Sequence, residues 1–151
     1  MKTAQRAIVF LLALSLATLA CDDLRVSAVE AKPGEEIQVR LKEGDDVFLT
    51  PDDVSFKFVQ LVGDSRCPKG ALCIWGGIAE VRLAMIRQGE QPTVVLLWIP
   101  GSITTPYRRN GLTVSGYNVT LLQLDPYPFV NKGDTPVVYE ALLAIEKIKT
   151  R

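Results

Sequence analysis

The segment Val54-Ser55-Phe56-Lys57-Phe58 alternates apolar and polar side chains, and this pattern decides the fold class that we predict. A period of two residues places successive side chains on opposite faces of a β-strand, so that one face is buried. Similar alternating or short apolar runs recur along the chain, separated by Gly, Pro and Asp residues typical of turns. The runs occupy residues 24–31, 37–41, 47–49, 54–62, 79–85, 94–99, 117–121 and 137–145.

The spacing of these runs predicts an all-β fold: a single antiparallel β-sandwich of seven or eight strands over residues 24–151, with a barrel-like arrangement as the alternative. The continuous apolar run 94–99 is typical of a central strand covered on both faces. Residues 78–88 and 138–149 also contain good helix formers, but their alternation favours strands. The length of 151 residues suits one domain of this kind.

The composition argues against several classes of function. The 17 Lys and Arg residues balance 17 Asp and Glu residues, so no nucleic-acid partner is indicated. Histidine is absent, which removes Ser-His and Cys-His catalytic pairs and imidazole metal ligands. No glycine-rich phosphate loop occurs, and we expect no cofactor. Asp45, Asp46, Asp52, Asp53 and Asp134 lack the spacing of a calcium loop, so we predict turn residues and no metal.

Residues 1–20 are typical of an export signal. Lys2 and Arg6 precede an apolar run that is short for a membrane span. Residues 17–20, ATLA, are similar to the lipobox at which a bacterial lipoprotein peptidase cleaves before a cysteine that is then acylated. We therefore predict lipidation of Cys21, with residues 21–23 as a tether. Ordinary secretion with cleavage after residue 20, leaving Cys21 as a free thiol, is the alternative, and an uncleaved anchor helix is less favoured.

Lipidation of Cys21 would decide where the protein resides. Two or three acyl chains hold a protein firmly on a bilayer, whereas one chain alone is marginal. We therefore expect a location in the bacterial cell envelope, facing outside the cytoplasm, with the membrane as a partner through the lipid. In a Gram-negative host, Asp22 and Asp23 resemble the signal that retains lipoproteins at the inner membrane.

Residues 64–77, DSRCPKGALCIWGG, contain the other two cysteines. Export places them in an oxidising compartment, and five residues that include Pro and Gly separate Cys67 from Cys73, so we predict a structural disulfide. A redox couple more typically has two intervening residues, and a zinc site would need two further ligands.

The residues that flank the cysteines have two interpretations. In the first, Asp64 accepts backbone N–H groups, Arg66 pairs with an acid, and Trp75 covers the disulfide, so that all three lock an irregular connection between strands. In the second, Arg66 and Trp75 are exposed as a recognition surface, because these residue types dominate binding hot spots. We favour the locking interpretation.

The order Asp-Ser-Arg-Cys-Pro followed by Cys-x-Trp-x-Gly resembles a family of small exported bacterial proteins, many of them lipoproteins. Such chains also carry a later Gly-Tyr strand and a Pro-Tyr-Pro, here at residues 116–117 and 126–128. The resemblance covers most of residues 47–149 and implies a location and a shape, but no chemistry. The residue before the final glycine is often Ala in the family and is Gly76 in this chain.

Two further segments are candidate contact sites. Arg108 and Arg109 lie in a basic, aromatic stretch that could hold an anion or form a solvated hairpin. Tyr127 lies in the stiff segment Pro-Tyr-Pro-Phe, which either presents aromatic rings to a partner or caps the core.

The leading expectation for function is a non-enzymatic, membrane-tethered envelope protein that binds or stabilises an unidentified envelope partner. The first alternative is a small-ligand or ion-binding module that uses Arg108 and Arg109 or the aspartate turns. The second alternative is a carboxylate-based hydrolase, since Asp and Glu alone can perform general acid and base catalysis. An exposed patch of Trp75 and Tyr127 would favour binding, and two facing carboxylates in a cleft would favour the hydrolase.

Overall fold

The computed structural model describes residues 27–101, 111–130 and 136–149. The expected signal at residues 1–20, the lipidation site Cys21, the pair Asp22 and Asp23, and the basic residues Arg108 and Arg109 lie outside the described residues. The described chain forms nine strands and no helix. The strands are β1 (Ser27–Glu30), β2 (Glu36–Lys42), β3 (Asp46–Thr50), β4 (Val54–Asp64), β5 (Ile78–Arg87), β6 (Thr93–Pro100), β7 (Gly111–Val114), β8 (Tyr117–Asp125) and β9 (Glu140–Lys147).

Two sheets pack face to face as a sandwich. One sheet has five strands in the order β1-β3-β4-β5-β6, and the other has four in the order β2-β9-β8-β7. Neighbouring strands are antiparallel except for β1 and β3, which run parallel. The sandwich prediction is confirmed, and the sheets do not close into the barrel that was its alternative. The parallel pair is a feature that the periodicity did not indicate.

The alternation in β4 produces the core face that it predicted. Val54, Phe56 and Phe58 are fully buried, whereas Ser55 and Lys57 are partly exposed on the opposite face. Tyr117 of β8 reaches across the interior, and its ring meets that of Phe56 edge-on at 5.6 Å between centroids. These contacts join the five-stranded and four-stranded sheets through one hydrophobic core.

Both segments that also contained helix formers are strands, β5 and β9, as predicted. The prediction of a central strand at residues 94–99 is wrong, because β6 is an edge strand with Val94 and Leu96 exposed. A continuous apolar run shows that a strand is hydrophobic, but it does not show whether both faces are covered. The ninth strand arises because β7, only four residues long, is too short to produce a recognisable alternation.

The end of β4 positions the connection that follows it. Register irregularities between Phe58/Gln60 and Leu61/Gly63 interrupt the pairing of β4 with β5. Such bulges bend a strand and increase its twist. Beyond them, β4 ends at Asp64. The connection that follows contacts the four-stranded sheet through Arg66. Within the described ranges, no helix has the length and apolar character needed to span a bilayer.

Candidate functional site

The connection between β4 and β5, residues 65–77, is here called the cysteine loop. Its base continues the β4–β5 hairpin, because the Ser65 amide donates to the Ile78 carbonyl and the Cys67 amide donates to the Gly76 carbonyl, each at 2.8 Å. Gly77 has a φ of +68°, and a Cβ added there would overlap the Ser65 carbonyl. The narrow base therefore requires glycine at this position.

A buried ion pair fixes the first residues of the loop. The Arg66 Nε donates to one Asp64 carboxylate oxygen at 2.8 Å, and Nη2 donates to the other at 2.6 Å. The two side chains are 3% and 6% exposed, so the pair is shielded from water. Asp64 also accepts the Arg66 backbone amide at 3.2 Å. The two-point geometry aligns both charges and gives each carboxylate oxygen a donor.

The same guanidinium connects the loop to the other sheet. Arg66 Nη1 donates to the Leu124 carbonyl of β8 at 2.8 Å, and Nη2 donates to the Pro126 carbonyl at 3.2 Å. The Tyr127 ring lies 4.7 Å from the guanidinium carbon, in cation–π contact. The Tyr127 hydroxyl donates to the Gly101 carbonyl at 2.5 Å, which ties in the end of β6. Arg66 therefore joins the end of β4 to the end of β8 and, through Tyr127, to the end of β6. Its guanidinium is occupied by these internal contacts.

The middle of the loop is held at two further places. Cys67 and Cys73 lie at disulfide-bonding distance, with Cα atoms 5.9 Å apart, as the sequence predicted. The Lys69 amide donates to the Pro128 carbonyl at 2.9 Å, and Lys69 and Phe129 form an isolated parallel bridge. The cysteine loop is thus fastened to residues 126–130, which follow β8.

The far part of the loop projects into solvent. Leu72 and Ile74 are fully exposed, and Trp75 is 71% exposed. We call these three residues the apolar tip. The tip borders an open cleft of about 880 Å³ that reaches β5 and β6, where Glu80, Trp98 and Gly101 contribute to its lining. Of the carboxylates in the described residues, only Glu80 lines this cleft.

The structure separates the residues that the sequence grouped together. Arg66 pairs with an acid, Asp64, as the locking interpretation expected, and the half-buried Tyr127 packs against the same guanidinium. Arg66 is 4% exposed and so is not part of a recognition surface, whereas Trp75 is exposed and is not buried within the locked connection. Sequence reasoning did not single out Leu72 and Ile74, although two large apolar residues beside a cysteine in a Gly-rich loop were a usable signal.

A second polar cluster lies at the opposite end of the sandwich. The sequence drew attention to Asp52 and Tyr117 separately, and it did not indicate that they meet. Asp52, in the turn after β3, accepts the Lys147 ammonium at 2.7 Å and the Tyr117 hydroxyl. These two hydrogen bonds, led by that from Lys147, hold the pKa of Asp52 below its usual range. Burial, followed by the hydrogen bond to Asp52, raises the pKa of the Tyr117 hydroxyl. The cluster ties a turn of one sheet to two strands of the other.

The aspartate turns show local contacts. Asp45 accepts the Lys42 backbone amide at 3.1 Å, which closes the turn between β2 and β3. Among the described residues, no group of three or more His, Cys, Asp or Glu side chains is placed to hold a metal ion. Asp134 lies outside the described residues.

Comparison with known proteins adds no relative to this geometry: no protein-family model, no curated protein and no solved structure matches the chain.

Proposed function

We propose that this protein is a non-enzymatic binding module of the bacterial cell envelope, anchored to the membrane through a lipid on Cys21. Its contact surface is the apolar tip of the cysteine loop. The observation that carries this proposal is the exposure of Leu72, Ile74 and Trp75 on a base that a buried ion pair fixes. The proposed location in the envelope rests on residues 17–21 of the sequence, ATLAC.

The physical argument concerns the cost of binding. A contact loop that must be ordered on binding loses conformational entropy, which weakens the complex. Here the Asp64–Arg66 pair, the cysteines and the bridge to Phe129 already hold the loop on the sandwich. Exposed apolar groups clustered on a held loop, unlike apolar residues scattered singly over a surface, mark an interaction site.

The cleft beside the tip supports a second candidate function, the binding of a small apolar or aromatic ligand. Its volume of about 880 Å³ lies within the range usual for ligand pockets, and Trp75 and Trp98 are among its lining residues. The cleft is partly open to solvent, which suits a ligand that is itself held at a surface. A hydrolase would need a second carboxylate facing Glu80, and the described lining supplies no support for one.

Labelled palmitate tests the anchor. Cells that produce the full-length protein should incorporate the label, and Cys21→Ser should abolish incorporation. Cys67→Ser serves as the control, because it removes a different cysteine and should leave labelling intact. Labelled Cys21→Ser protein, or wild-type protein released without lipid, would show that the proposed lipid anchor on Cys21 is wrong.

Site-specific photo-crosslinking tests the contact surface. A benzophenone amino acid in place of Ile74 should form light-dependent adducts in the native envelope. The same amino acid in place of Val94, which is exposed on edge strand β6, is the matched control and should form few. Absence of adducts at position 74, or equal yields at both positions, would contradict the assignment of the tip.

A further inference from the structure

Exposed apolar residues are concentrated at one end of the sandwich. Besides the apolar tip, Phe129, Val130 and Val138 in the connection between β8 and β9 are exposed. The bridge between Lys69 and Phe129 places the first two beside the cysteine loop. Most soluble proteins expose such residues singly. A group of them on two adjoining connections therefore marks a surface that contacts another molecule or a membrane.

The chemistry of this end fits the interfacial zone of a lipid bilayer. Trp prefers that zone because its ring is apolar and its N–H is polar, and Leu, Ile and Phe enter the acyl region below it. Residues 67–77 and 126–130 contain no carboxylate, and their one cation is Lys69. The Lys69 ammonium lies 5.4 Å from the centre of the Phe129 ring, and its flexible chain can carry the charge to the headgroups.

The strand register shows on which side an anchor would lie. Ser27 pairs with Val47, and Val47 pairs with Phe56 of β4. Because β1 runs antiparallel to β4, the backbone direction from Ser27 back toward the N-terminus points to the Asp64 end. Asp64 lies eight residues beyond Phe56, but two register irregularities intervene. The β5 partners of these residues, Ala79 and Met85, are six residues apart, so Asp64 lies about 20 Å from Phe56 along the sheet. The N-terminal side of β1 and the apolar tip therefore point to the same end of the sandwich.

The length of the tether limits the orientation of the domain. Five residues lie between Cys21 and Ser27, and the six Cα–Cα steps that join them span at most about 20 Å. A lipid on Cys21 therefore keeps Ser27 within about 20 Å of the bilayer surface. The apolar tip projects beyond Asp64 and so lies at least this far from Ser27 along the sheet. In an upright domain with the tip toward the membrane, the tether therefore holds the tip at the bilayer surface or within it. The opposite orientation requires the chain to double back within the tether.

We propose that the apolar tip inserts into the interfacial zone of the bilayer that carries the Cys21 lipid, forming a second membrane contact. This inference rests on the lipid anchor of the proposed function, and it names the membrane itself as the partner of the tip. The lipid supplies attachment, and the tip fixes the orientation of the sandwich.

Quenching by brominated lipid measures this insertion directly. Full-length lipidated protein carrying Trp98→Phe, in which Trp75 is the remaining tryptophan, is reconstituted into phosphatidylcholine and phosphatidylglycerol vesicles. Bromine on carbons 6 and 7 of the acyl chains should lower Trp75 fluorescence at least about twofold, because interfacial side chains reach about 5–10 Å into this zone. The complementary variant Trp75→Phe, which reports on Trp98, should be quenched clearly less.

Paired substitutions separate the tip from general hydrophobicity. Leu72→Ser/Ile74→Ser should abolish most of the Trp75 quenching while lipid attachment persists. The control Val94→Ser/Leu96→Ser removes two exposed apolar side chains from β6 and should leave the quenching unchanged. If Trp98→Phe fails to fold, the difference between wild-type and Trp75→Phe quenching gives the same quantity.

The outcomes distinguish the inference from the proposed function. Palmitate-labelled protein whose Trp75 is not quenched would overturn the inference and leave the anchor standing, as would envelope crosslinks from position 74 to protein alone. Absence of the palmitate label would overturn the anchor, and the inference with it. Quenching that depends on Leu72 and Ile74, together with lipid adducts at position 74, supports both.

Discussion

At the scale of single residues, the difference between Arg66 and Trp75 is the main finding. Both residue types are common in binding hot spots, and the sequence placed them in one short loop. Arg66 is buried against Asp64 and two backbone carbonyls, whereas Trp75 stands in solvent. The carbonyls that complete the arginine site belong to Leu124 and Pro126, about sixty positions away in the sequence. No local pattern could indicate that contact.

Arg66→Ala should lower the free energy of unfolding by about 3–5 kcal/mol, because it leaves the Asp64 carboxylate buried without its partner. Denaturant unfolding measures the loss. The control is Arg40→Ala, which removes an arginine paired with Glu140 at the surface and should cost at most about 1 kcal/mol. Equal losses in the two variants would show that the Asp64–Arg66 pair is not a structural lock.

Asp52→Asn should lower stability by about 1–2 kcal/mol near neutral pH, because it removes the charge that Lys147 contacts. The folded-state pKa of Asp52 is lowered, so its contribution is complete above its ordinary pKa near 3.8 and fades as the pH falls below that value. The difference in melting temperature between the variant and the wild type should therefore shrink from pH 6 to pH 2. A gap independent of pH would contradict this assignment.

At the scale of elements, the sequence predicted strands well and strand positions less well. Alternation identified β2, β4, β5, β8 and β9 because each buries one face, and burial of one face is what a period of two encodes. The edge position of β6 and the parallel pairing of β1 depend on which strand lies beside which. Those are long-range choices that periodicity does not record.

The cysteine loop was predicted as a closed element, and its closure has a measurable effect. Cys67→Ser/Cys73→Ser should lower the free energy of unfolding by about 2 kcal/mol, since a loop this short loses little entropy on closing. Melting curves measure the loss, and the reduced wild-type protein should have the same melting temperature as the double variant. Unchanged melting in both would show that the cysteine pair contributes nothing to the fold.

The base of the loop depends on one glycine. Gly77→Ala should destabilise the protein by well over the roughly 1 kcal/mol cost of a left-handed alanine, because its Cβ would overlap the Ser65 carbonyl. Gly89→Ala is the matched control, since Gly89 also has a positive φ but has open space around its Cα. Thermal unfolding compares them, and equal losses would mean that the base can widen freely.

At the scale of the whole molecule, two polar clusters fasten the sheets at opposite ends. The Asp64–Arg66 pair closes the end that carries the cysteine loop, and Asp52 with Tyr117 and Lys147 closes the other. Stability is thereby supplied by the core and these clusters, which leaves the apolar tip outside the fold. The side chains of the tip are therefore available for contact with a partner, because they do not contribute to the stability of the fold.

The central claim is that the apolar tip serves contact and not the fold, and the free energy of unfolding of Trp75→Ala tests it most directly. Chemical denaturation of this variant should give a value within about 0.5 kcal/mol of the wild type, as for other exposed substitutions. A loss of about 3–5 kcal/mol, the usual cost of deleting a buried tryptophan, would contradict the claim and return Trp75 to the core.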